Sequence, residues 1–506
     1  MIKNIFTINN TLKLFSRHKN GFIYFSSSSM SLNGATSLST ENYFKKLNNN
    51  NNSCSSPVKL PKLSWNTSKY ALNTDYLTIY ETQHKATLLK AIKNGCNVIV
   101  TRNNSATISP VISDLIENKE IERASIVVIK RSMLSKSISD LSCDQIDKDI
   151  KESLDKLGLD HLDVYMVDLS TFIQIDDQLI NHLFENIFPH LESLIVKGQL
   201  SSYGLSFNQD SITNQSKSIE SIIMKRKENN CNNFSFIQYP FNIYQHQTIT
   251  NSPYHNGTKN IMEYAKENEL VTLNSSPSLF TTPSLQRFKS VRDHSNVDIE
   301  KILKESFDLT IHMERNNPIT KDESHSNKFK ENKDLIGSLT WGHTLIYERS
   351  NPKLANLWSW KQILSSKIRP LVLKSVFTLF SSNINNNWGN SYLRAINSLF
   401  ETYTKSLELQ IFDQQRDMDQ SFENHPYFKN IKITDQKQQD STTSTSTPTP
   451  LSLYQKSLLV ASKGADIIVE DPSNEDDLKE IQSIPFDSNP INNNQIIELS
   501  KKVIIK

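Results

Sequence analysis

Glycine is scarce in this 506-residue chain: 11 residues, about 2% against a usual share near 7%. Phosphate-cradling loops need several glycines close together, and here they stand singly, so no G-x-G-x-x-G or Walker-type loop exists. Four cysteines, Cys54, Cys96, Cys143 and Cys231, are too few and too dispersed for a disulfide framework or a C-x-x-C metal site, and H-E-x-x-H is absent. No apolar run approaches the ~20 residues of a membrane span. An excess of one charge is missing too: 56 Lys plus Arg face 54 Asp plus Glu, a net +2. That balance argues against a nucleic-acid partner, and the basic run Lys225-Arg-Lys227 reads as a solvated helix end. Hydrophobic residues, at 37%, fall below the roughly 45–50% of an ordinary globular chain. Part of the length is therefore not core. The expectation is a soluble, reduced-thiol protein with no metal and no membrane span.

What is present begins with an address. Residues 1–40 contain Lys3, Lys13, Arg17 and Lys19 and no acid; the first is Glu41. Ile2, Ile5, Leu12, Leu14 and Phe15 give a loose apolar face, and Ser26 to Ser29 follow. Basic, serine-rich and acid-poor is the composition of a mitochondrial transit peptide. Residues 1–45 are read as a matrix-targeting segment, the alternative being a cytoplasmic protein with an unstructured tail. The Asn run 48–52, within a linker at 46–60, and the Ser/Thr/Pro tract 441–450 are low-complexity stretches that cannot bury enough surface to order themselves.

Between those tracts, β-branched runs alternate with amphipathic stretches. Asn97–Thr101, Ser125–Ile129, Val164–Val167, Tyr203–Phe207, Phe234–Gln238 and Leu270–Leu273 read as buried strands. Helix-like segments at 84–94, 145–157, 179–197 and 258–268 separate them. Such alternation predicts a parallel sheet. Lys62–Trp65 and Ala465–Val469 supply an early and a late strand, making eight, the number that closes a (β/α)8 TIM barrel. Strands 1–7 are placed in residues 61–280, and strand 8 with a terminal helix in 451–506. A doubly wound open sheet is the alternative.

These segments carry a resemblance. Leu157-Gly-Leu-Asp-His-Leu-Asp-Val-Tyr165, Lys197-Gly-Gln-Leu-Ser-Ser-Tyr-Gly-Leu-Ser206, Ile237-Gln-Tyr-Pro-Phe-Asn242, Glu263-Tyr-Ala-Lys-Glu-Asn-Glu-Leu270 with Ser276-Pro277, and Gly95-Cys-Asn-Val-Ile99 stand in order at family spacing. Ser473–Leu478 is similar to the last family helix. Together they resemble the aldo/keto reductases. That resemblance implies a barrel, NADP(H) as cofactor and a small-molecule carbonyl substrate, reduced by hydride while a tyrosine gives the proton. A lysine and an aspartate set the tyrosine and a histidine orients the carbonyl.

Carried over position by position, the implied site is eroded. The aspartate position falls on Val100, the tyrosine on Ser105, the lysine on Lys130 and the histidine on Asp168. A carboxylate at Asp168 opposes the negative charge that grows on a reduced carbonyl oxygen; pairing with Lys130 is the expected outlet. His161 and Asp163 are read as structural. For the cofactor, Ser206 and Gln238 stand where the family bonds the nicotinamide amide, and Asn208 is displaced by one. The glycines of the first-strand motif read Ser64-Trp-Asn-Thr67, the stacking tyrosine is Ser275, and Glu470-Asp471 replace groups that hold the 2′-phosphate.

An insertion of about 170 residues, 281–450, separates strands 7 and 8. Its 281–335 part is charged, Asn/Ser-rich and expected to be mobile. Residues 340–412 show helical spacing from Trp341 to Leu407, with a break or kink at Arg369-Pro370 and a turn at Asn383–Gly389. This hairpin is either a family helix extended along the barrel wall or a lid or protein-binding arm over the mouth. Two functions follow. One is an aldo/keto reductase-like pseudoenzyme with a binding or scaffold role, with a protein partner on residues 340–412. The other is an active NAD(P)-linked oxidoreductase whose substitute proton donor is Tyr70, Tyr203 or Tyr239. Another redox chemistry on the same barrel has no positive support.

Overall fold

The computed structural model describes residues 34–49, 56–60, 62–74, 82–102, 105–135, 137–275, 277–278, 287–288, 291, 294, 296–321, 333–380, 386–429, 431–433, 449–472, 475–488 and 490–503. Eight parallel strands close a barrel in sequence order: β1 Tyr70–Asn73, β2 Val98–Thr101, β3 Val127–Arg131, β4 Leu162–Asp168, β5 Leu200–Ser206, β6 Phe234–Tyr239, β7 Val271–Asn274 and β8 Ile467–Glu470. β8 pairs with both β7 and β1. The chain folds as a (β/α)8 barrel.

Period-two alternation divides each strand between two cores. Ala71, Val98, Val100, Val127, Ile129, Val164, Met166, Phe236, Val271, Leu273, Ile467 and Val469 form one buried cluster, the barrel lumen. Tyr70, Leu72, Ile99, Val128, Tyr165, Val167, Leu205, Ile237 and Tyr239 belong to the larger core between strands and helices. Runs such as Val98-Ile-Val-Thr are apolar on both faces because both faces are covered. Gly204 lets Phe236 fill the lumen: a Cβ there would lie 2.3 Å from the Phe236 carbonyl oxygen.

Helix Cys143–Leu157 shows how the sequence stops a helix. Ser142 accepts the Gln145 amide at its start, and Gly158 at φ 66° ends it in the left-handed region that Gly occupies at no steric cost. The helices at Thr82–Lys93 and Ile261–Glu267 fall where the periodicity places them. The 179–197 stretch is Asp177–His182, a π-turn at Leu183–Ile187 and Phe188–Val196.

The lower, N-terminal end of the barrel departs from the sequence expectation. Lys62–Trp65 is no strand; it is the loop of a hairpin pairing Val58–Lys59 with Asn66–Thr67, and Ser64 turns it with φ 55°. Leu60 and Trp65 plug the lumen from below. The first barrel strand is Tyr70–Asn73, whose Tyr-Ala-Leu-Asn lacks the β-branched residues that marked the others. A helix at Ser37–Asn49 buries Tyr43, Phe44 and Leu47, and the Ala35 amide donates to Asp163 at 2.5 Å. Residues 37–45 of the expected targeting segment are thus packed on the barrel, and residues 1–33 lie outside the described residues. Of the Asn run, Asn48 and Asn49 end this helix and 50–52 lie outside the described residues.

The insertion has its own hydrophobic core. Phe307, Leu345, Trp360, Ile368, Val376, Phe380, Tyr392, Phe400 and Leu407 form a cluster separate from both barrel cores. The 281–335 part, expected to be mobile, contributes the 17-residue helix Ile299–Arg315, capped by Asp298. Its charges hid an apolar edge at Ile299, Leu303 and Phe307. Arg369-Pro370 produces no break: a π-turn at Leu364–Ile368 leads into the helix Arg369–Phe380. The second half of the predicted turn, from Asn386, already belongs to the helix Asn386–Glu423, and 383–385 lie outside the described residues.

That 38-residue helix, about 57 Å long at 1.5 Å per residue, joins the two bodies. Its Tyr403 and Leu407 sit in the insertion core, its Met418 and Phe422 in the barrel core. Lys456, buried on helix Leu453–Ala461, holds Asp419 at 2.7 Å. The insertion is therefore a helical body fixed to the barrel by that helix. Of the Ser/Thr/Pro tract, Thr449–Pro450 pair with Lys432–Ile433; residues 441–448 lie outside the described residues.

Candidate barrel-mouth site

The upper rung of the lumen carries the polar groups. Asp168 at the end of β4 pairs in register with Ser206 at the end of β5, and Ser206 with Gln238 near the end of β6. Alternation from Val164 and Met166, from Ser202 and Gly204, and from Phe236 puts all three on the lumen face. They are 2%, 3% and 0% exposed. Three adjacent strands thus present acid, hydroxyl and amide in one row.

The acid is neutralised within the mouth. The Arg102 guanidinium donates to the Asp168 carboxylate, whose other oxygen accepts the Ser170 amide at 2.9 Å. Arg102 follows β2 two residues after lumen-facing Val100 and so emerges on the same face. Lys130 is on the opposite face. Its Nζ lies 2.9 Å from Asp149 on helix Cys143–Leu157 and donates to the carbonyls of Arg102 (2.6 Å) and Arg131 (3.0 Å). Asp149 also accepts the Tyr165 hydroxyl at 3.0 Å, a phenol that burial, then Asp149 itself, holds well above its ordinary value. The expected Asp168–Lys130 pair and a mouth-facing Lys130 are therefore corrected. The lumen-side cation of β3 is Arg131, in step with Val127 and Ile129.

The other carried-over positions are spent on structure or absent from the chemistry. Val100 is wholly buried in the lumen core and has no polar atom to give. Ser105 opens the helix Ser105–Glu117, one turn past the rung. Asn208 caps the next helix: its oxygen accepts the Ser211 amide at 2.7 Å and its nitrogen donates to Ser170 at 2.8 Å. Each polar atom of the Asn208 side chain thus makes one structural hydrogen bond. His161 bonds Gly198 and Ser201, and Asp163 takes the Val128 amide at 2.7 Å and Arg123 at 2.8 Å, structural roles as expected.

The substitute phenols fail on position. Tyr70 accepts from Gln482 on the outer face of β1. Tyr203 donates to Glu192 at 3.0 Å and packs against Phe188 and Phe234 outside the lumen. Tyr239 donates to the Gly464 carbonyl at 2.7 Å. Burial pushes the Tyr203 and Tyr239 hydroxyls far above their ordinary value. None of the three can hand a proton to a carbonyl in the mouth.

For the implied cofactor, NADP(H), the two ends of the site differ. Among the described residues, Gln238 has neither its amide oxygen nor its amide nitrogen hydrogen-bonded, although both are buried. A buried amide left so costs about 1–3 kcal/mol per group, and a carboxamide laid against it would satisfy both atoms. The phosphate end does not fit. Glu470 accepts the Ser278 hydroxyl at 2.9 Å, Asp471 occupies Arg287, and the helix Glu475–Gln482 opens on Glu475, Asp476 and Asp477. Carboxylates at that helix N-terminus take the place a phosphate would need. The first-strand motif Ser64–Thr67 lies in the hairpin under the barrel, at the wrong end. Ser275 keeps only a backbone bond to Tyr239, and Ser276 lies outside the described residues.

Sequence reasoning missed Arg102, Arg131 and Arg287. The signal for Arg102 was there: Val98, Val100 and Arg102 alternate on one face. Arg287 lies in a stretch with no period to follow.

Residues 69–307 match the model of the aldo/keto reductase family. Among solved structures, an aldo/keto reductase from Klebsiella pneumoniae in complex with NADP and acetate is 14% identical, over 44% of this chain and 68% of that one, with a TM-score of 0.33. The aldose reductase from Schistosoma japonicum is 17% identical over 45% and 72%, with a TM-score of 0.32. A glycerol dehydrogenase from Gluconobacter oxydans is 10% identical over 88% and 94%, with a TM-score of 0.42. No curated protein matches. Residues 69–307, which hold seven of the eight barrel strands, are thus similar to the aldo/keto reductase family.

Proposed function

We propose that this aldo/keto reductase barrel has given up carbonyl reduction and serves as a binding protein or scaffold. The observation that carries the reading is the Arg102–Asp168 pair in the mouth, beside Val100. Reduction requires a proton donor near the carbonyl and stabilisation of the oxygen that becomes negative. Here the row offers a carboxylate already bound to a guanidinium, a serine and an amide. The tyrosines that could have replaced the donor point away.

The unpartnered Gln238 amide supports one retained feature, a subsite for a carboxamide such as that of a nicotinamide ring. A weakened NADP(H) site without turnover is consistent with both ends of the lumen. The composition of residues 1–33 supports a mitochondrial matrix address. The exposed Leu371, Leu373 and Phe377 on the helix Arg369–Phe380 support a protein partner on residues 340–412.

The test is titration of the full chain with NADPH and NADH by thermal shift, followed by turnover with a short aldehyde. A ligand at 100 times its dissociation constant adds about 2.7 kcal/mol. The proposal expects a small shift or none, and no NADPH oxidation. Steady NADPH oxidation dependent on the aldehyde would overturn it. Import of a reporter fused to residues 1–45 into isolated mitochondria tests the address.

A further inference from the structure

From Gly34 onward the chain is held against the lower end of the barrel. A Cβ on Gly34 would lie 2.2 Å from Cδ2 of the His161 ring and 2.7 Å from an Asp163 carboxylate oxygen. That ring is not free to swing aside, because its nitrogens bond the Gly198 carbonyl at 2.7 Å and the Ser201 hydroxyl at 2.8 Å. Ala35 donates its amide to Asp163 at 2.5 Å, and Thr36 donates its own to the Ala124 carbonyl at 3.0 Å.

The helix Ser37–Asn49 continues the attachment. The Thr40 hydroxyl, fully buried, accepts the amide of Asn66 in the hairpin under the lumen at 3.1 Å. The Ser125 hydroxyl donates to the Ser39 carbonyl at 3.2 Å, and the Tyr43 hydroxyl donates to the Ile92 carbonyl. Tyr43, Phe44 and Leu47 pack with Ile121. This stretch therefore bonds the hairpin, the helix Thr82–Lys93 and the segments that lead into β3 and β4. Its composition also differs from that of the address: the last Lys or Arg before Lys45 is Lys19, and Glu41 is the first acid.

Resting on the mitochondrial address proposed above, we infer that an organellar processing endopeptidase cuts the chain between Lys19 and Gly34, and that the mature protein keeps Gly34–Asn49 as the strap beneath its barrel. Water adds across one peptide bond in that interval. The cationic fragment leaves with the new carboxylate, and the retained chain carries the new ammonium. A cut further downstream would strip a donor from the buried Asp163, uncover Ile121 and remove the hydroxyl that takes the Asn66 amide. Truncation is tolerated only where the backbone removed is neither buried nor hydrogen-bonded to the fold.

The experiment imports the full-length chain into isolated mitochondria and reads the N-terminus of the protease-protected product by mass spectrometry. The expected product lacks between 19 and 33 residues and still contains Gly34. In parallel, the purified full chain is digested with trypsin under native conditions; the core fragment should stay uncut after Lys45 and Lys46. A product that begins beyond Gly34, or an imported chain left uncut, overturns the inference while the address stands. Failure of import removes the address and this inference with it. Native cleavage after Lys45 or Lys46 as fast as after Lys19 overturns the inference by itself, since the strap would then not be held.

Discussion

The Arg102 guanidinium rests on the Asp168 carboxylate at the open end of the barrel, reaching from β2 past β3 to β4. Beneath it, Lys130 holds the Arg102 carbonyl and is itself held by Asp149. Two buried pairs, one in the lumen and one behind the strands, are thereby linked through one residue. The geometry ties the position of the mouth cation to the helix Cys143–Leu157.

Removing one partner of the mouth pair should cost more than removing both. Asp168→Ala leaves a mostly buried guanidinium without its counter-charge, a change worth about 3–5 kcal/mol in buried pairs. Arg102→Met with Asp168→Leu should recover most of that loss. Urea unfolding of the three proteins measures it; equal losses for the single and double variants would contradict a coupled pair.

Gln238→Met should stabilise the ligand-free chain. The amide's two unpartnered atoms disappear while volume and flexibility are kept, a gain of about 1–2 kcal/mol. Calorimetry should show a higher midpoint. Any thermal shift that nicotinamide cofactors produce in the wild type should vanish in this variant.

Lys69, with its Nζ on the Ala465 carbonyl beneath the barrel, is held down to about 8, first by burial, with Asp466 opposing. The unfolded chain, near 10.5, binds more protons than the folded one between those values, so this residue makes stability rise with pH there. Below pH 8 its penalty is complete and constant. Midpoints measured between pH 8 and 10.5 should climb in wild type relative to Lys69→Met. Parallel curves would refute the assignment.

Glu314 should prove a keystone of the insertion. Its buried carboxylate accepts the amides of Gly342 (2.6 Å) and His343 (3.1 Å), the His343 ring and the Tyr392 hydroxyl. Burial and then Glu314 keep that phenol protonated, hence a donor. Glu314→Ala orphans all four donors, a loss of several kcal/mol. Four of the five tryptophans, Trp341, Trp358, Trp360 and Trp388, lie in the insertion, so emission reports on it directly. A red shift with retained far-ultraviolet signal from the barrel is the expected result.

Strand runs such as Ser125–Ile129 and Phe234–Gln238 were legible because a strand buried on both faces must be apolar throughout, and the barrel count followed from their spacing. The family motifs were legible because backbone turns and caps, as at Gly158, constrain residue type locally. Tyr70–Asn73 was not, since Tyr-Ala-Leu-Asn has no β-branched residue to mark it as a strand. The face on which Lys130 stands was not either. A shift of one residue reverses every side chain of a strand, and only the neighbouring strands fix that register. The apolar edge of Ile299–Arg315 was diluted by its own charges, and becomes a core face only because Asn386–Glu423 packs on it. By itself the sequence determined that Ser105 and Asp168 stand where the resemblance implies a tyrosine and a histidine. That this acid belongs to Arg102, and that the Gln238 amide has no hydrogen-bond partner among the described residues, was decided by tertiary structure, because pairing of buried polar groups depends on distances between strands rather than on order along the chain.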